Sequence, residues 1–282
     1  MAAITDLSDL INRQSGGNSG TPENVFFFKV PRVAGVTATA TLVGRGASFW
    51  EYDGMPAKGD VPTSGSILHR TTQGSLPFVA PTGGRDKHLI GASITPSVAG
   101  TFLLYDRLFH IGGLSGISTS VQDVQGSPAS PALTRNASGA GNMAYYEIYT
   151  IIGVSSQTLT MTYTNQNGTS GRTSTINIGA TGFREVTRMQ RIPLAAGDSG
   201  IQSIQSVQLS ASTGTLGNFG ITIAQPLAWI PVGAAGAMGW RDFTTGLPSI
   251  PVINSDACLS VMSISGTTTA PELFGTLATI EK

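Results

Sequence analysis

Residues 158–164 read Thr-Leu-Thr-Met-Thr-Tyr-Thr, and the next four are Asn165-Gln166-Asn167-Gly168. This alternation has a period of two, which puts every Thr on one side of an extended chain and Leu159, Met161 and Tyr163 on the other. A helix cannot use the pattern, because neighbours on one helical face recur every three or four residues. Asn167-Gly168 accepts positive φ and reverses the chain into a hairpin, so a returning strand is expected over Thr173 to Ile178. Val36, Ala38, Ala40 and Leu42 alternate in the same way with Thr37, Thr39 and Thr41, predicting a strand from Val36 to Val43. Further strand candidates are Met143 to Val154, Phe183 to Leu194, Ile201 to Ser210, Gly220 to Ala224, Leu227 to Val232, Leu259 to Ile264 and Phe274 to Ile280. Turn signals at Gly197-Asp198, Thr213-Gly214 and Leu216-Gly217-Asn218 separate several of them. Strands at this spacing with no helical pattern between them predict an all-β fold, with an antiparallel β-sandwich or jelly-roll type body over residues 141–282.

The one helical pattern is at the start. Ile4, Leu7, Leu10 and Ile11 recur at spacings of three and four, with Thr5 and Asp6 as cap candidates, so a short helix is expected within residues 3–14. Ser-Gly-Gly-Asn-Ser-Gly follows at 15–20, a composition that makes a flexible tether. Residues 1–35 therefore read as an N-terminal arm. Between the arm and the sandwich, residues 36–140 read as a loop-rich β region. Prolines at 56, 62, 77, 81 and 96 interrupt any ladder between Tyr52 and Gly100, which reads as long ordered loops, and Gly112 to Gly141 reads as a second loop-rich stretch.

Charge narrows the function classes. Only 11% of residues are Asp, Glu, Lys or Arg, against about 25% in an average soluble domain. Sixteen basic residues balance sixteen acidic ones, which leaves no electrostatic footprint for nucleic acid or an anionic membrane. A chain with so little charge lacks the repulsion that keeps a monomer dispersed, and a permanent place in an assembly relieves that. Cys258 is the only cysteine and sits in an apolar run, as a small buried side chain would. No signal peptide opens the sequence and no apolar run reaches the roughly 18 residues of a membrane span; assembly in a cytoplasm is expected. Asn136-Ala137-Ser138 and Asn167-Gly168-Thr169 match the glycosylation sequon, and turn chemistry explains both.

Catalytic constellations do not assemble. Gly197-Asp198-Ser199-Gly200 resembles the nucleophile segment of chymotrypsin-type proteases, but Ile201 replaces the next Gly, and His69, His88 and His110 lie in none of that family's settings. Asp86-Lys87-His88 and the Asp106/His110 pair lack the further ligands that a metal site needs. Gly44-Arg45-Gly46 lacks the third Gly and the helix of a dinucleotide site. No enzyme activity, cofactor or metal is expected. Three consecutive aromatics, Phe26, Phe27 and Phe28, must present rings to both faces of a strand. With Trp50 and the helix residues Ile4, Leu7, Leu10 and Ile11, they are the candidate interface residues, since interface cores gain aromatics and lose charge.

The opening Ile4-Thr5-Asp6-Leu7-Ser8-Asp9-Leu10-Ile11-Asn12-Arg13, the Gly/Ser/Asn tether, Pro22-Glu23-Asn24-Val25-Phe26-Phe27-Phe28 and Tyr163-Thr164-Asn165-Gln166-Asn167-Gly168 carry a resemblance. Over most of its length the chain resembles the structural proteins of tailed bacteriophage virions. It shows neither the long spine helix nor the charged extended loop of shell-forming major capsid proteins. The resemblance therefore implies an accessory part, most like a capsid cement or decoration protein, located in the virion. Its partners would be the phage major capsid protein and further copies of itself, as a dimer or trimer. A tail or baseplate β-protein is the alternative, and a carbohydrate- or receptor-binding module built on Trp50, Trp229 and Trp240 is the third.

Overall fold

The computed structural model describes residues 6–16, 21–31, 43–124, 132–244 and 250–282. Residues 36–42 of the expected strand Val36 to Val43, and the interface candidate Ile4, lie outside the described residues, and Val43 itself is in an exposed turn. Among those described, the chain is all-β and antiparallel, with one short helix, α1 (Leu7–Gln14). Asp6 caps α1 by accepting a hydrogen bond from the backbone N–H of Asp9 at 2.7 Å, so the helix begins where its cap residue allows.

Three sheets make up the body. The outer sheet runs β14 (Gly239–Asp242), β5 (Lys87–Pro96), β17 (Leu273–Glu281), β1 (Glu23–Val30), β3 (Asp53–Met55), with β15 (Val252–Ile253) also on β5. The central sheet runs β11 (Met189–Ile192), β8 (Met143–Thr150), β13 (Asn218–Val232), β6 (Gly100–Leu114), β16 (Leu259–Ser265), β2 (Gly46–Ser48), with β4 (Ser66–Ile67) on β6. The distal sheet is β10 (Arg172–Ile178), β9 (Gln157–Asn165), β12 (Ile201–Leu209), β7 (Gln122–Asp123). Strands from 36–140 and from 141–282 pair side by side in all three, and residues 23–30 of the expected arm form β1.

Two long strands explain how one central sheet carries both others. β6 and β13 have 15 residues each, or about 50 Å at the usual rise. One end packs under the distal sheet: Phe109 and Ile111 of β6 and Phe219, Ile221 and Ile223 of β13 meet Leu159, Met161, Tyr163, Ile204 and Val207. The other end packs under the outer sheet, where Phe102, Leu104, Ala228 and Ile230 meet Val25, Phe27, Leu89, Ile94 and Leu277. Between the two, register shifts at Ile223/Ala224 and Pro226/Ala228 act as bulges, which change parity and so re-aim the inward set.

The Thr-rich hairpin forms as its period requires. Leu159, Met161 and Tyr163 are fully buried, and Thr160 pairs with Thr175 and Thr162 with Thr173 across the β9–β10 ladder. Gly168, at φ +76°, supplies the left-handed turn residue. In other places the ladder differs from the sequence expectation. Tyr52 to Gly100 contains the ten-residue β5, and Gly112 lies inside β6. Both strands are covered on two faces, so they show no alternation for a sequence pattern to reveal. Gly220–Ala224 and Leu227–Val232 are a single strand, and only Met189–Ile192 of the expected strand 183–194 is extended.

Candidate docking surface

Alternation along β1 turns Val25 and Phe27 inward and Phe26 and Phe28 outward. Phe27 pairs with Gly275 of β17, and its ring occupies the space a Cβ on Gly275 would need. Burying such a ring contributes about 1.5–3 kcal/mol. Outside, Phe28 lies opposite Phe274 on one side and Met55 on the other. The Phe28 and Phe274 rings stack at 6.2 Å, and Phe26 lies 6.2 Å from Phe28. One register step along, Phe26 lies opposite Thr276, Thr276 opposite Ser93, and Ser93 opposite Trp240. Ser93 and Thr276 hydrogen-bond at 2.7 Å, and a Cβ on Gly91 would approach the Trp240 ring to 2.9 Å. The outward face thus has a ridge of Phe26, Phe28 and Phe274 and a second ridge at Trp240, whose ring covers Gly91, with the exposed Thr276 and the buried Ser93 between the ridges. Phe26 and Phe274 are each 49% exposed, Trp240 50% and Met55 48%.

Helix α1 borders this face. Leu10 is buried against Ile90 of β5 and Ile280 of β17, whereas Leu7 and Ile11, in the same apolar stripe, are 63% and 56% exposed. Asp9 fixes the helix: its carboxylate takes Lys282 Nζ at 2.6 Å and Arg13 Nε at 2.9 Å. The hydrogen bond from Lys282 is the largest influence holding the Asp9 carboxyl below its usual range, with Arg13 adding to it. Under the helix end, His88 is buried with neither ring nitrogen hydrogen-bonded, and burial lowers its pKa.

A second concentration of chemistry is internal. On the central sheet, Glu147 accepts from Arg107 Nη2 at 2.5 Å, Tyr149 Oη at 3.0 Å and Thr222 Oγ1 at 3.0 Å. Arg107 also reaches His110 at 3.2 Å and lies 4.5 Å from the Trp50 ring. Burial, and then the Arg107 charge, hold His110 well below the usual imidazole range, which keeps it neutral. Asp106 lines a cleft of about 430 Å³ with Arg85, Asp86, Gln225 and Asn254. Its oxygens are taken by Arg135 at 2.7 and 2.8 Å and by the N–H of Cys258 at 2.9 Å. Protein donors thus hold both oxygens of Asp106 and Oε2 of Glu147. Asp198, in the Gly-Asp-Ser-Gly segment, accepts from Tyr163, Asn165 and Arg172; the hydrogen bond from Arg172, then that from Tyr163, bring its pKa down to about 2.

The structure places the sequence-derived candidates in three settings. Leu7, Ile11 and Phe26 are exposed on the docking surface, with Phe28 half-buried beside them. Leu10, Phe27 and Trp50 are buried inside the chain, where Trp50 donates its indole N–H to Asp60 O at 2.8 Å. Ile4 is outside the described residues. Sequence reasoning missed Phe274 and Met55 and named Trp240 only for the binding-module alternative; all three join Phe26 and Phe28 only through strand register. The Phe274-Gly-Thr276 alternation marks Phe274 as outward only after the inward face of β17 is known. Trp229, 39% exposed, lies in the central sheet opposite Leu103, apart from Trp240.

No family model matches the chain, and no curated protein matches it by sequence. Among solved structures it is similar to the VP2 subviral particle of infectious bursal disease virus, with 9% identity over 93% of this chain and 80% of that one, at a TM-score of 0.19. It is likewise similar to the T=1 particles derived from the same virus, with 10% identity over 93% and 78%, at a TM-score of 0.18. Likeness at this level carries no argument for fold or function. The chain's own geometry therefore has to support the functional reading.

Proposed function

We propose that this chain is a non-enzymatic structural protein of a phage virion, a cement or decoration protein that binds the outside of the capsid and stabilises it across capsomer joints. The observation that carries this reading is the outward face of the outer sheet with α1, an aromatic and aliphatic surface left to water on a body with only 11% charged residues. Surfaces of that kind mark sites of protein association. Each joint would gain from apolar burial at about 25 cal/mol per Å² before association costs, and many copies would sum to a stiff shell. Asp106, Glu147 and Asp198 are each engaged by an arginine of the same chain, which suits a structural role.

Cryo-electron microscopy of particles from the producing strain tests the reading. Density for this chain on the outer capsid surface, touching several shell subunits, is the expected result; density only at the tail would transfer the assignment to a tail or baseplate protein, and its absence from particles would end the virion reading. A chain lacking residues 1–16 keeps every sheet strand and should fold, yet decorate capsids at reduced occupancy.

A further inference from the structure

We propose that the outward face of the outer sheet, with α1 at its border, is the contact between two copies of this chain, which pair about a two-fold axis. This rests on the assembly reading and deepens it: the face that marks the chain as an assembly protein is covered by a second copy, and the pair meets the shell through its other surfaces. Three observations carry it.

The first is area. Side chains of 150–250 Å² left half exposed leave about 100 Å² apiece. Phe26, Phe274, Trp240, Met55, Leu7 and Ile11, each between 48% and 63% exposed, thus offer roughly 600 Å² of apolar surface. That is the upper end of what a monomer shows to water, about 300–600 Å². With the small polar residues between them, the patch approaches the roughly 800 Å² that each partner of a stable complex buries.

The second is shape. An isologous contact needs a patch complementary to itself. Here a Phe ridge and a Trp ridge flank the small residues Ser93 and Thr276, so a two-fold rotation sets large side chains of one copy over small ones of the other. The third is the helix. Among the described residues its apolar stripe is satisfied only at Leu10, leaving Leu7 and Ile11 turned outward beside the same face. A second copy covers them with its own ridge and the small residues beside it, which carry no charge.

Sedimentation or light scattering of the purified chain at micromolar concentration tests this. The expected result is twice the 29.1 kDa chain mass. A Phe274→Ser/Trp240→Ser variant should melt as the parent does and self-associate about 100-fold more weakly, as should Leu7→Glu/Ile11→Glu. Val154→Ser, 65% exposed outside this patch, should leave the dimer intact. A wild-type chain that stays monomeric, or ridge variants that remain dimeric, would overturn the proposal. Its failure is distinct from that of the virion reading: a dimer absent from particles ends the latter alone, and particles decorated by solution monomers end only the former.

Discussion

Raising the pH above 10 should unfold this protein through its tyrosines. All six, Tyr52, Tyr105, Tyr145, Tyr146, Tyr149 and Tyr163, have pKa values raised above the ordinary phenol value. Burial is the first cause in each, and neighbouring Glu147 adds to it at Tyr149 and Tyr105. A group whose folded pKa exceeds its unfolded value keeps its proton in the native state after the unfolded chain has released it. Its stabilising contribution is therefore whole below about pH 10 and is lost as pH rises through the folded value. For Tyr52, pushed up to about 12, the loss at pH 11 is about 1.4 kcal/mol. The other buried phenols add losses of the same sign, against a total stability of about 5–15 kcal/mol for a folded domain. Lys29 acts in the opposite sense: burial lowers it to about 8, so between about pH 8 and 10.4 its contribution rises, by up to about 3 kcal/mol. Stability should hold to about pH 10 and then collapse. Phenolate absorbance and far-ultraviolet circular dichroism, followed together during alkaline titration, should change in one transition. Phenolate appearing near pH 10 while the β-sheet spectrum stays native would refute the reasoning.

Other perturbations have equally direct outcomes. Glu147→Gln leaves Arg107 charged and unpaired in the interior, and urea denaturation should show a loss of about 3–5 kcal/mol; Arg107→Met combined with Glu147→Leu should recover most of it. Gly59→Ala puts a methyl group into the Trp50 ring, which should cost about 1–3 kcal/mol and lower the melting temperature. Cys258, fully buried with its thiol pushed up to about 12, should resist thiol reagents at pH 8 until denaturant is added. Acid should release the Asp198 clamp late: with a folded pKa of about 2, its contribution is present above the unfolded value and is lost only as pH falls through the folded one, so Asp198→Ala should reduce stability at pH 5 but not at pH 1.5.

Particular residues show how far sequence could go. Where one face of a strand is wet and polar, as at Thr158 to Thr164, the period of two appears in the sequence, and both the hairpin and its Gly168 turn follow. Thr5 and Asp6 were the cap candidates at the start of the helix and Asp6 takes the role, because capping is a local act, involving a side chain and an N–H three residues away. β5 and β6 were hidden because burial on both faces removes the polar half of the alternation, and the prolines near β5 drew attention to loops. The docking surface was half legible: Phe26, Phe28, Leu7 and Ile11 belong to strongly patterned local runs. Phe274, Trp240 and Met55 come from three other strands, and only register places them beside Phe26 and Phe28.

By itself the sequence determined that the chain is an antiparallel all-β protein, poor in charge and opened by one capped helix, because alternation, turn chemistry and capping act between residues close along the chain. Tertiary structure decided which rings are core and which are surface. Phe27 and Trp50 carry the same apolar signal as Phe26 and Trp240, yet Phe27 lies over Gly275 and Trp50 beside Arg107, while the other two face water. That choice depends on strand order and on which sheet lies above, and both are set by contacts between residues far apart in the chain.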